Sequence, residues 1–208
     1  MAPYRVDEVF AINPNFRIKF ENEIVVIDDL FVDWVNIRNL FYDTPAPIFN
    51  IREGTRNFID YYQCRQMVMG YFPFEIEIQK LIWKVWGDHT TFDHQLYTNW
   101  FKQIKGRESD YANIHTDPGD YSMILYLNSE EECCGGTAFF TGGEVQGYPD
   151  TYWAKAPPPP VYTVDMKPGR VLIFKSKLTP HAAWFPRDGF IDFPRLCTVC
   201  WFNKDEDS

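Results

Sequence analysis

Residues 111–140 read YANIHTDPGDYSMILYLNSEEECCGGTAFF, and residues 180–196 complete them with PHAAWFPRDGFIDFPRL. Short runs of β-branched and aromatic residues alternate here with Pro-Gly and Gly-Gly turns, the pattern of close-spaced strands. It predicts strands near 97–105, 109–116, 121–128, 136–140, 161–166, 170–175 and 195–202. Many short strands in sequence point to a sandwich or barrel. On the strand predicted at 109–116, Tyr111, Asn113, His115 and Asp117 share one face, because side chains alternate along a strand. A polar face inside a sheet is costly unless it lines a wet or metal-bearing cavity.

His181 follows a second apolar run, VLIF at 171–174. Two imidazoles and one carboxylate are the ligand set of mononuclear non-haem iron(II) centres with open coordination positions. His115, Asp117 and His181 are therefore the candidate metal ligands. Taken alone, the triplet at 115–117 also reads as a surface turn in which Asp117 caps Pro118-Gly119-Asp120. The final strand adds a cation: Arg195 shares a face with Cys197, Val199 and Trp201. A guanidinium on an apolar face calls for a carboxylate partner.

Working towards the N-terminus, the periodicity changes. Glu75 to Trp86 predicts a helix, with Ile78, Leu81, Ile82, Val85 and Trp86 at helical spacing and Gly87 as its terminator. Asp33 reads as the N-cap of a second helix over 34–42, closed by Pro45 and Pro47. Ile24 to Ile27 predicts a strand. Asn-Pro-Asn at 13–15 marks a turn, and 48–72 reads as either helix or strand. The segment 141–160, ending in four prolines, predicts a stiff shaped loop able to cover a pocket mouth. The tail after Phe202 is polar and predicts fraying.

The chain has 208 residues and is 45% hydrophobic, enough for one domain with a sizeable core. Seven Trp, twelve Tyr and eighteen Phe suit a β-rich fold or a lined pocket. A net charge of −9 argues against a nucleic-acid partner. No apolar run approaches the length of a membrane span, and the N-terminus lacks an apolar signal core. Five cysteines, two of them adjacent at 133 and 134, do not suit a disulfide framework and favour the cytoplasm. Cys197 and Cys200 point to opposite faces of a strand, so they do not form a metal pair. His89 and His94 flank a loop that reads as solvated.

These motifs resemble the iron(II)- and 2-oxoglutarate-dependent oxygenases, in the neighbourhood of their prolyl-hydroxylase-like members. The matching text is HTD at 115–117, ILYLN at 124–128, GGTAFF at 135–140, PGRVLIF at 168–174, and HAAWFP from 181 followed by Arg195. The resemblance covers roughly the last hundred residues. It implies a mainly β fold with supporting helices around a double-stranded β-helix (jelly-roll, cupin-like) core, in one domain over 1–208. Residues to about 95 would form helical and β support, and about 96–203 the core.

It further implies that His115, Asp117 and His181 bind Fe(II), and that 2-oxoglutarate and O2 are consumed. Arg195 would pair with the far carboxylate of 2-oxoglutarate. Many relatives carry Arg-x-Ser there, whereas this chain has Arg195-Leu196-Cys197, which leaves the second contact open among Cys197, Asn113, Tyr126, Thr137 and Gln103. Arg187 is the competing arginine. The carboxylate at 117 favours hydroxylation over halogenation, and the substrate is expected to be a small molecule such as a free amino acid. A protein or peptide side-chain hydroxylase, a non-catalytic cupin-like metal-binding or sensing protein, and a zinc hydrolase with the same ligands are the other readings.

Overall fold

The computed structural model describes residues 6–43, 49–52, 59–66, 73–92, 96–103, 114–141, 159–184 and 195–205. In chain order these form α1 (Val6–Val9), β1 (Arg17–Glu21), β2 (Ile24–Asp28), α2 (Trp34–Asp43), β3 (Phe49–Arg52) and β4 (Ile59–Gln66). Then come α3 (Pro73–Trp86), β5 (Thr90–Phe92), β6 (Leu96–Gln103), β7 (Tyr121–Tyr126) and a single 3-10 turn at Glu130–Glu132. The chain closes with β8 (Gly136–Phe139), β9 (Tyr162–Asp165), β10 (Val171–Phe174), β11 (His181–Trp184) and β12 (Arg195–Lys204).

All six residues of β7 are buried, so the strand is covered on both faces. Alternation divides them. Tyr121, Met123 and Leu125 face one apolar cluster, while Ile124 and Tyr126 face another. The same division runs through β2, where Val25 and Ile27 oppose Ile24 and Val26, and through β10, where Val171 and Ile173 oppose Leu172 and Phe174.

Among the described residues the larger sheet has the order β1-β2-β10-β7-β12-β6-β4-β3, with β5 also on β12, and the smaller has the order β11-β8-β9. Every recorded strand pairing is antiparallel. Phe139 and Val164 of the small sheet pack onto Ile24, Val26, Leu172 and Phe174 of the large one, making a two-sheet core.

On the opposite face of the large sheet lie the helices. Ile37 and Leu40 of α2, with Phe74, Ile78, Leu81 and Ile82 of α3, share a cluster with Val25, Met123 and Ile173. Each fully buried side chain of this size stabilises the fold by about 1.5–3 kcal/mol, so packing holds these helices more than propensity does. Asp33 caps α2 as predicted: its Oδ1 accepts from the Val35 and Asn36 amides at 3.0 and 3.2 Å. Gly87 ends α3 at φ +77°, where its amide donates to the Trp83 carbonyl at 2.8 Å.

The strands predicted near 97–105, 121–128, 136–140, 161–166, 170–175 and 195–202 are β6, β7, β8, β9, β10 and β12, with ends shifted by up to two residues. Four differences have physical causes. The strand predicted over 109–116 is not found within the described part: His115 makes one isolated bridge and 116–120 are irregular. Pro118 supplies no amide and restricts Asp117 before it, so a ladder cannot run through.

Second, β11 begins at His181 itself, where no strand was predicted; its Ala-Ala lacks the β-branched signal, and pairing to β8 imposes the strand. Third, β1 pairs with β2 through a two-residue turn in which Asn22 and Glu23 both hold positive φ, a hairpin without the usual glycine. Fourth, the tail does not fray at Phe202. Here β12 runs on to Lys204, whose amide donates to Asp120 Oδ2 at 2.9 Å. Most of the 141–160 loop and Pro45 and Pro47 lie outside the described residues.

Candidate metal centre

His115, Asp117 and His181 converge where the small sheet meets the segment before β7. The His115 amide donates to the His181 carbonyl at 3.0 Å, and the His181 amide returns the bond at 2.8 Å. Residues paired this way in an antiparallel bridge project their side chains to the same side. The imidazole centroids accordingly lie 4.5 Å apart. Asp117 arrives by a different route, its amide donating to the Ser176 carbonyl at 3.3 Å beyond the end of β10. Its carboxylate sits between the rings, with Oδ1 3.5 Å from His115 Nε2 and Oδ2 3.4 Å from His181 Nε2.

One donor atom from each of the three lies within 4.8 Å of the others, and among the described residues this is the one such cluster of His, Cys, Asp or Glu. His181 and Asp117 are buried, whereas the His115 side chain keeps 33% of its surface, so the site opens to solvent on that side. Burial pushes the Asp117 carboxyl up, but the two imidazoles outweigh it and hold the group well below the usual carboxylate range. It is an anion wherever the protein is folded near neutral pH. His181 Nδ1 lies 3.0 Å from the Thr179 carbonyl, which occupies this nitrogen and leaves Nε2 as the one turned towards Asp117. Phe174 and Phe139 wall the His181 ring at 4.7 and 6.4 Å between centroids. This donor set, two imidazole nitrogens and one carboxylate, fits a divalent first-row metal.

A second polar group is sealed inside the sheet pair. Arg195, 3% exposed, donates from Nη1 to Cys197 Sγ at 3.2 Å and from Nη2 to Thr137 Oγ1 at 3.4 Å. The Tyr126 hydroxyl lies 2.6 Å from Thr137 Oγ1, and the guanidinium carbon stands 5.4 Å over the Tyr126 ring. Burial raises the Tyr126 phenol above its ordinary value despite the opposing charge of Arg195, so it stays a proton donor. The start of β12 is clamped by Asn128, whose Oδ1 accepts from the Leu196 amide at 2.6 Å. That clamp aims Arg195 inwards.

Arg195, Cys197, Tyr126 and Thr137 are thus one cluster. Asn113 and Arg187 lie outside the described residues, as does the side chain of Gln103. Cys197 and Cys200 face opposite clusters, as the strand alternation requires. The sequence reading missed Ser122, Ser176 and Thr179, which hold the ligands rather than binding. Ser122 was findable: it is the one small polar residue in the buried run YSMILY.

Neither a protein-family model nor a curated protein sequence matches the chain. Solved structures do match in shape. A prolyl 4-hydroxylase from Phytophthora capsici superposes with a TM-score of 0.52 at 15% identity, over 88% of this chain and 59% of its own. EctD from S. alaskensis, solved with 2-oxoglutarate and 5-hydroxyectoine, gives 0.52 at 17% identity over 96% of this chain and 81% of its own. A Trichoplax adhaerens prolyl hydroxylase, solved with a hypoxia inducible factor peptide fragment, gives 0.52 at 14% over 88% and 84%. The chain has the fold of the 2-oxoglutarate/iron(II) oxygenases. It spans under two thirds of the Phytophthora capsici chain. Within this oxygenase fold, the His-Asp-His cluster and the buried arginine cluster occupy the inner faces of the two sheets. No helix among the described residues is long and apolar enough to cross a membrane.

Proposed function

We propose that the chain is an iron(II)- and 2-oxoglutarate-dependent dioxygenase that hydroxylates an unactivated C–H bond of a small molecule. The observation that carries this reading is the cluster of His115, Asp117 and His181 within 4.8 Å, on a fold shared with such enzymes. Iron(II) bound there, with 2-oxoglutarate and O2, would supply oxidative decarboxylation to succinate and CO2 coupled to C–H hydroxylation. His115, Asp117 and His181 hold the ion from one side and leave its other positions to exchangeable ligands.

Arg195 binds the far carboxylate of the cosubstrate. Thr137 and Tyr126 are the hydroxyl partners that the sequence left open, supported by their contacts to the guanidinium and to each other. Cys197 packs the other side of the arginine, a weak partner for a carboxylate because a thiol is a poor donor. Tyr126 and Thr137 are also the groups that satisfy Arg195 before the cosubstrate arrives, which keeps the guanidinium oriented.

The small-molecule reading, with a free amino acid as the first class to test, is supported by likeness to EctD, solved with 5-hydroxyectoine. Likeness to a prolyl hydroxylase solved with a peptide fragment favours the second reading, a peptide hydroxylase. Five cysteines, an odd number with two adjacent at 133 and 134, do not suit a disulfide framework, which favours a reducing compartment such as the cytoplasm.

The test is anaerobic addition of Fe(II) and 2-oxoglutarate to the folded protein, watching for the weak visible charge-transfer band of the chelate. Its absence, or its survival in His115→Ala, defeats the assignment. Stimulation of succinate formation by free amino acids or by peptides then separates the two substrate classes.

A further inference from the structure

We infer that Ser122 is the positioning residue of this metal centre: its hydroxyl engages Oδ2 of Asp117 so that Oδ1 is the oxygen presented to the ion. This rests on the metal reading above. Ser122 Oγ donates to Asp117 Oδ2 at 2.5 Å, a short charge-assisted hydrogen bond between two buried groups. Ser122 is completely buried and sits in β7, paired on one side to Phe174 of β10 and on the other to Trp201 of β12. Its Oγ therefore has little freedom to move.

Asp117 is held much less firmly by its own backbone. It lies in no strand, its amide bond to Ser176 is long at 3.3 Å, and Pro118 follows it. Without the serine, this carboxylate would rotate about its side-chain torsions between the two imidazoles. A neighbouring device holds the same turn. Ser176 Oγ donates to the Gly119 carbonyl at 3.0 Å, and a Cβ at Gly119 would lie 2.5 Å from Cβ of Trp201, the residue paired with Ser122. The turn 117–119 is thus pressed onto the strand pair that carries Ser122.

The division of labour matters chemically. A hydroxyl donor on one carboxylate oxygen draws its electron density and favours binding through the other, which leaves more of the ion's positions for exchangeable ligands. Supporting hydrogen bonds of this kind typically change metal affinity by roughly 10- to 100-fold.

The experiment compares wild type with Ser122→Ala, Ser122→Cys and Ser122→Thr by anaerobic Co(II) titration, following the visible d–d absorption, with circular dichroism and melting as checks of folding. Asp117→Ala serves as the no-ligand control. The expected result is a folded Ser122→Ala that binds Co(II) roughly 10- to 100-fold more weakly, with an altered d–d band. Ser122→Cys, close in shape but a poor donor, should follow it. Ser122→Thr, which keeps the hydroxyl, should restore the wild-type band. Wild-type affinity and spectrum in folded Ser122→Ala, with binding lost in Asp117→Ala, overturn the inference and leave the metal reading standing. No Co(II) binding by folded wild type removes both.

Discussion

His115 and His181 close a ring of two backbone hydrogen bonds, at 3.0 and 2.8 Å, and this ring, rather than any local motif, brings their imidazoles together. The bridge extends the small sheet beyond its β11 edge, so the geometry of the site depends on β11 holding its register. Register slips move every side chain to the other face, and a slip here would separate the two rings.

The ligands should be individually essential for metal binding. His115→Ala, His181→Ala and Asp117→Ala are each expected to abolish the anaerobic Fe(II)–2-oxoglutarate band and to reduce succinate formation to background. Retained far-ultraviolet circular dichroism distinguishes loss of a ligand from loss of fold.

Arg195 should act on the cosubstrate and not on the metal. Losing one partner of a buried charged pair costs about 2–5 kcal/mol, so Arg195→Leu is expected to raise the 2-oxoglutarate Kd more than tenfold while Co(II) binding alone is kept. Tyr126→Phe removes one neutral hydrogen bond, worth about 0.5–1.5 kcal/mol, and should raise that Kd only a few-fold. Titration calorimetry of the metal-loaded protein, without O2, measures both.

Gly136 has no room for a side chain. A Cβ there would stand 1.9 Å from the Val164 carbonyl oxygen, backbone against backbone, where no rotamer change gives relief. Gly136→Ala should part β8 from β9 and cost about 3 kcal/mol, a fall in Tm of about 6–12 °C. Thermal melting reads this directly, and Thr137, the next residue, should lose its place beside Arg195.

One acid-side stability step is expected from Asp28. The Arg170 guanidinium, bonded to it at 2.6 and 2.9 Å, holds its carboxyl below the ordinary value, against a smaller upward push from burial. A lowered native pKa means the unfolded state binds the proton more readily. The contribution is therefore present above the unfolded pKa near 4 and is lost as pH falls through it towards the native value. For a partly exposed pair it is worth up to about 1 kcal/mol. Asp28→Asn should lower Tm at pH 7 by up to about 2–4 °C and flatten the dependence of Tm on pH below 4.

Cys133 should be chemically quiet. Burial first, then the charges of Glu130 and Glu132, push its thiol up to about 12. Native protein treated with iodoacetamide at pH 7.5 should leave Cys133 unlabelled by peptide mass spectrometry, and the unfolded chain should label it fully.

The polypeptide's own order of residues already determined the strand-rich C-terminal half, the two helices and the three candidate ligands, because alternation, caps and ligand chemistry are local properties. Even Arg195 was legible, as a charge on a face otherwise apolar. Tertiary structure decided the rest. The triplet at 115–117 is not a strand, and His115 and Asp117 share a side because a bridge to His181 and a hydroxyl from Ser122 put them there. Likewise, no spacing in the chain pairs Tyr126 and Thr137 with Arg195; that follows from β7 lying beside β12 and from the small sheet folding over both. Contacts between distant residues are set by sheet order and register, which depend on the packing of the whole core and not on any one segment.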